Sequence, residues 1–230
     1  MNDTLQTQYG YAPGGLATDR QRVLRNTYWL LALSLVPTVL GAWVGVATGL
    51  FATMSPGMST LVFFIGAFGL MFAVEKTKNS AAGVAVLLGF TFFMGLMLSR
   101  LVGHVLGFRN GTSLVMTAFG GTAAIFFTMA SLATVIKRDL SAMGKFLLVG
   151  AVILMVAGIA NIFLQSSALM LTILVLVLAV FSAFMLYDIK RVIDGGETNY
   201  ISATMAIYLD IYNVFQSLLS LLGIFGGDRE

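Results

Sequence analysis

Asp188 and Asp210 stand in apolar text of helical character, one on either side of a short polar hairpin, Asp194-Gly-Gly-Glu197. A carboxylate inside a membrane span costs roughly 2.5–3.5 kcal/mol at the helix centre on insertion scales, so each must face a partner or water. If the two meet in low-dielectric surroundings they cannot both ionise comfortably, and they titrate as a unit with a proton held between them. Protonated, the pair can hydrogen-bond and hold its two helices together. Doubly charged, it repels and offers hard oxygen ligands of the kind Ca²⁺ takes, though two carboxylates fall short of the roughly six to eight oxygens of a storage site. The expected site is therefore weak and transient, with no resident cofactor.

The elements that must carry this chemistry follow from composition. The chain has 230 residues, of which 58% are hydrophobic and only 10% charged, with mean hydropathy +0.93. A soluble domain carries about 25% charged residues, so this chain lacks the charge to cover a globule. Apolar runs long enough to cross about 30 Å of hydrocarbon are predicted at residues 27–50, 58–75, 81–102, 112–135, 144–164, 168–190 and 200–225, which gives an all-α membrane protein of seven spans in one domain. Residues 1–26 read as a flexible polar tail ending in a basic anchor, Arg20, Arg22 and Arg25, and residues 226–230 as a short C-terminal tail. The first apolar run starts too late and runs too long for a signal peptide, so the tail is expected to stay on the protein. Pro37 falls within the first span and predicts a kink there.

In the last span Ala203, Ala206, Asp210, Asn213, Ser217 and Ser220 step by three or four and share one face, opposite Leu209, Val214, Leu218 and Leu221. A polar stripe on a helix of full hydrophobic length predicts a central position in the bundle. Asn213, Ser217 and Tyr208 are the groups expected to support Asp210. With span six running to Gly195 and span seven starting near Asn199, the two carboxylates differ in depth by about 6 Å, within what ordinary tilt absorbs. A structural ion pair is the competing reading for Asp188, with Lys190, Arg191, Lys145 and Lys76 as candidate partners.

Lysine and arginine fall unevenly. Arg20, Arg22, Arg25, Lys76, Lys78, Lys137, Arg138, Lys145, Lys190 and Arg191 lie on one side, and Arg100, Arg109 and Arg229 on the other. That bias predicts a cytoplasmic N-terminus and an external C-terminus. With no cysteine, disulfides, thiolate metal sites and cysteine nucleophiles are excluded. The only histidine, His104, is a poor metal site alone. Tyr187-Asp188 fits half of an intramembrane aspartyl protease pattern, but the Gly-x-Gly-Asp half is absent, since Asp210 follows Ile207-Tyr208-Leu209. Serine-protease, zinc-protease and P-loop patterns are missing too, and the chain is not expected to be an enzyme or to bind nucleic acid.

Tyr208-Leu209-Asp210-Ile211-Tyr212-Asn213-Val214-Phe215 followed by Ser217-Leu218-Leu219 resembles the C-terminal signature of the Bax inhibitor-1 (TMBIM) family. So do Gly120-Gly121-Thr122-Ala123, Lys137-Arg138-Asp139-Leu140-Ser141 and Asn161-Ile162-Phe163. Gly195-Gly196-Glu197-Thr198-Asn199-Tyr200-Ile201 and Val23-Leu24-Arg25-Asn26-Thr27-Tyr28 are similar to the bacterial YccA-like subgroup. The resemblance implies a seven-helix fold with the last helix in the middle, in a bacterial inner membrane. For the channel-like branch it implies a proton-sensitive aspartate pair controlling a calcium leak, at the positions of Asp188 and Asp210, with a basic gate partner on span two nearest to Lys76 or Lys78. For the YccA branch it implies modulation of the ATP-dependent membrane protease FtsH, partly through the N-terminal tail. Oligomeric state is open.

Overall fold

The computed structural model describes residues 13–51 and 53–227, which form seven α-helices and no strand. These are α1 (Pro13–Thr48), α2 (Pro56–Thr77), α3 (Ala82–Leu106), α4 (Gly111–Val135), α5 (Ser141–Leu164), α6 (Ser167–Ile193) and α7 (Tyr200–Gly226). All seven are long and apolar enough to cross a membrane. The protein is an all-α membrane protein of seven spans.

Local chemistry sets the helix ends. Ser55 Oγ accepts the Met58 N–H, with Pro56 opening α2 where a missing N–H costs nothing. Asn161 closes the α5–α6 turn from both ends of its residue: its backbone carbonyl accepts from Gln165 N–H and its side-chain oxygen accepts from Ser166 N–H. This holds Gln165 at φ +49°, a left-handed position that a non-glycine residue keeps only with such support. At the other hairpin Asn199 Oδ1 caps α7 by accepting from Ile201 and Ser202 N–H.

The first helix departs from expectation. Residues 13–26, read from sequence as the end of a flexible tail, are helical and continuous with the first span; residues 1–12 of that tail, and residues 228–230, lie outside the described residues. The helix starts at Pro13, and Pro37 does not end it. Near it the hydroxyls of Ser34 and Thr38 bond to the Leu31 and Ser34 carbonyls, side-chain support of the kind membrane helices use around proline.

Packing explains which helices are inside. α1 and α3 cross closely because glycine lets backbone meet backbone: a Cβ at Gly95 would lie 2.0 Å from the Thr38 carbonyl oxygen, and one at Gly41 2.2 Å from that of Phe92. α7 touches α1, α2, α3, α4 and α6, and between Ile201 and Gly223 only Gln216 is exposed. The C-terminal helix is central. Both of its faces are covered, the leucine face included: Leu218 packs towards Gly121 of α4, and Val214 is fully buried. α5 is at the periphery, packed on α6, with Phe146, Ile153 and Phe163 turned outward. A second apolar cluster, Val105, Leu114, Ala118 and Leu219, fills the far end of the bundle from the α6–α7 hairpin.

Candidate functional site: two carboxyl groups between α6 and α7

Asp188 lies six residues before the α6 cap at Asp194, and Asp210 eleven residues after the α7 cap at Asn199. At 1.5 Å per residue these are depths of about 9 and 16 Å from the hairpin. The offset closes because helical side chains lean towards their own N-terminus. In antiparallel neighbours Asp188 leans away from the hairpin and Asp210 towards it. The two carboxyl groups come within hydrogen-bonding range of one another.

The setting is dry. Asp210 is 3% exposed, Asp188 is part-buried, and Met185, Ile189, Ile207 and Val214 around them are buried completely. No donor on the described residues reaches Asp210 Oδ2. Ionised carboxylates are acceptors only, so facing oxygens of this kind make a hydrogen bond only when one proton lies between them. A buried acceptor left without one costs about 1–3 kcal/mol, and more when charged.

The remaining expected site residues divide. Ser217 is buried on the Asp210 side of α7, and Asn213 donates from its amide to the Leu209 carbonyl of its own helix. Tyr208 is on a different face, since two residues at about 100° each place it some 200° from Asp210. Its hydroxyl shares a 2.8 Å bond with Thr38 Oγ1 and donates to the Thr91 carbonyl at 3.4 Å, while its ring meets Phe90 edge-on. Tyr208 fastens α7 to α1 and α3 and does not support the carboxyl pair. Neither lysine of α2 is drawn to the pair: Lys76 is exposed with its ammonium over the Phe72 ring, and Lys78 pairs with Glu75. Nearer to Asp188 along the chain are Arg191, one turn further on in α6, and Glu197 of the hairpin.

Those two residues belong to an ordered hairpin. Arg191 pairs with Glu197 at 3.4 Å, and Lys190 with Asp194 at 2.6 Å. Glu197 keeps a side chain only 20% exposed and accepts the Asn199 N–H. Asn199 Nδ2 also donates to the Lys78 carbonyl and to Asn79 Oδ1, which ties the start of α7 to the α2–α3 turn. Beside the last turns of α6 lies a polar cleft of about 400 Å³, lined by Asp139, Ser141, Tyr187, Lys190, Arg191 and Asp194 among others. It reaches the turn of α6 that carries Asp188. On its far wall Asp139 Oδ1 accepts from both the backbone N–H and the hydroxyl of Ser141, which holds its carboxyl below the usual carboxylate range. Tyr187 packs against Gly144, where an added Cβ would stand 2.4 Å from the ring. Sequence reading missed the Asn199 tie and the Tyr187–Gly144 contact; the first has a signal in the cap asparagine, the second none. Among the described residues no three histidine or acidic side chains are grouped as a metal site would need.

The fold and site define a class: a seven-span helical bundle whose central last helix holds a buried carboxyl pair with its neighbour. The family described as "Inhibitor of apoptosis-promoting Bax1" matches residues 20–227, and the chain belongs to this Bax inhibitor-1 family. Among its relatives, the "Modulator of FtsH protease YccA" of Escherichia coli strain K12 is 37% identical over 207 residues, 90% of this chain and 92% of its own. The "Inner membrane protein YccA" of E. coli O6:H1 has the same identity and coverage. A membrane protein of Vibrio cholerae serotype O1 is 37% identical over 228 residues, 97% of this chain and 98% of its own.

Proposed function

We propose that this protein works in a bacterial inner membrane, N-terminus in the cytoplasm and C-terminus outside, as a proton-sensitive calcium leak whose switch is the Asp188–Asp210 pair. The observation that carries this reading is the meeting of two carboxyl groups in a largely apolar site, with one oxygen lacking a donor among the described residues. With a proton between them they bind α6 to α7. Without it, two like charges in low dielectric repel, and the helices part. The parted oxygens are hard ligands in too small a number to retain Ca²⁺, which suits passage. The cleft beside Tyr187 and Arg191 supplies the aqueous approach from the hairpin side, and the Val105, Leu114 and Leu219 cluster is the barrier that parting α7 from its neighbours must also loosen. The role needs no catalysis and no resident cofactor.

Calcium flux into proteoliposomes tests it. Flux is expected to rise from about pH 5 to about pH 8, and the Asp188→Asn/Asp210→Asn double variant is expected to lose that dependence. Folded protein giving no flux above empty liposomes at any pH would end the channel reading.

A second reading is favoured by a specific observation, the relative whose name states that it modulates the FtsH protease. On that reading the chain binds an FtsH-type protease or its regulators in the bilayer and alters its activity, through the N-terminal tail and the outer helix faces. Removing residues 2–20 is then expected to abolish co-purification with the protease, and the double asparagine variant to retain it. The reverse pattern would reject this reading.

A further inference from the structure

The polar start of α1 and the hairpin between α6 and α7 are far apart in sequence, yet they meet. Gly195 has φ +80°, the left-handed position that ends a helix most cheaply with glycine. Where any other residue would carry its side chain lies Arg20: a Cβ at 195 would stand 2.6 Å from Arg20 Nε and 3.0 Å from its Cζ. The guanidinium therefore lies against Gly195, just past the C-terminal end of α6, where the helix dipole favours a cation.

From that point the hairpin transmits force in both directions. Gly196 and Glu197 N–H both donate to the Arg191 carbonyl, and the Arg191 side chain pairs with Glu197. Asn199 follows at once, capping α7 and holding the α2–α3 turn. Asp188 is one turn before Arg191 on α6. Gly195 is thus bonded, through Arg191 and Asn199, to the end of α6 that carries Asp188 and to the start of α7.

We propose that the polar extension of α1 is an autoinhibitory clamp: Arg20, seated on Gly195, holds the α6–α7 hairpin closed and so keeps Asp188 and Asp210 together, and drawing the extension off the hairpin frees them. The inference rests on reading the pair as a switch. It adds what holds that switch shut and from where it can be released.

The absence of cysteine lets two labels be placed at will. Spin labels at Lys145→Cys and Thr198→Cys, both exposed positions, report the distance from the start of α5 to the hairpin in lipid vesicles held at about pH 5. Arg20→Ala is expected to raise the displaced hairpin population about two- to fivefold, the factor one cation at a helix C-terminus supplies. Arg22→Ala, on the same extension and exposed, is expected to leave it unchanged. Identical distances for Arg20→Ala and the unaltered protein would overturn the clamp, as would an equal shift from Arg22→Ala, which would reduce the effect to general charge. The same comparison in the Asp188→Asn/Asp210→Asn background separates the two ideas. An Arg20 effect that persists there, with the pH response gone, supports both; a pH response that survives in that background removes the pair as the switch while Arg20→Ala still decides the clamp.

Discussion

Asp210→Asn should make this protein more stable at alkaline pH, an unusual direction for a substitution at a fully buried polar position. Asp210 is 3% exposed and its Oδ2 has no donor among the described residues. When the shared proton leaves, the native state holds an uncompensated buried acceptor worth about 1–3 kcal/mol, together with repulsion from Asp188. An asparagine amide in the same place donates to the Asp188 carboxylate at alkaline pH without needing a shared proton. A hydrogen bond to a charged group contributes about 1.5–3 kcal/mol in water-soluble proteins, and polar contacts between membrane helices about 0.6–1.7 kcal/mol. A gain of about 1–2 kcal/mol near pH 8, shrinking towards zero near pH 5, follows from these two ranges. The sign obeys linkage: a proton held in the folded protein and released on unfolding makes stability fall as pH rises. Denaturant unfolding in detergent micelles, followed by circular dichroism at several pH values, reads it directly. If Asp210→Asn unfolds earlier than the unaltered protein at alkaline pH, or both show one parallel pH profile, no proton bridges these carboxyl groups.

Three further outcomes bear on the frame around the pair. Tyr208→Phe removes the bonds to Thr38 and Thr91 and should cost about 0.5–1.5 kcal/mol in the same unfolding assay while leaving its pH dependence intact. Gly95→Ala puts a methyl 2.0 Å from the Thr38 carbonyl oxygen, backbone against backbone, and should lose about 1–3 kcal/mol as α1 is pushed off α3; Gly69→Ala, with nothing within 4 Å, should lose none of it. Asp139→Ala should speed amide exchange in the first turn of α5, where Asp139 holds Ser141. Because that carboxyl titrates below its usual range, the unaltered protein should show the same loosening only as acid protonates it, with the cap intact at neutral pH.

Most of this architecture is written in hydropathy, because a helix must satisfy its own backbone in lipid and must be long enough to cross it. The central place of α7 is legible in the spacing from Ala203 to Ser220, since a stripe that lipid would reject has to face protein. The two acids are legible as a pair by position, but their contact is not. It depends on the opposite lean of side chains in antiparallel helices, which cancels the difference in depth. Tyr208 shows where a motif misleads: adjacency in sequence groups it with Asp210, while helical phase turns it to Thr38. The α1 extension was hidden for another reason. Pro13, Gly14 and Gly15 have the composition of a loop, and the contact of Arg20 with Gly195 is a tertiary one that composition does not encode. The family resemblance points to Lys76 or Lys78 as a gate cation, yet Phe72 and Glu75, close by in sequence, engage them first.

The central claim is a proton held between Asp188 and Asp210, and infrared difference spectroscopy of the protein in lipid measures it most directly. Titrating from about pH 5 to about pH 8 should remove one protonated-carboxyl C=O stretch, in step with the separation of α6 from α7. In Asp188→Asn and in Asp210→Asn alike that band should shift or vanish, because the one remaining carboxyl group then faces an amide and shares no proton with a carboxylate. A band unchanged in frequency and pH dependence in both variants, or its absence from the unaltered protein at the acid end, would contradict the account.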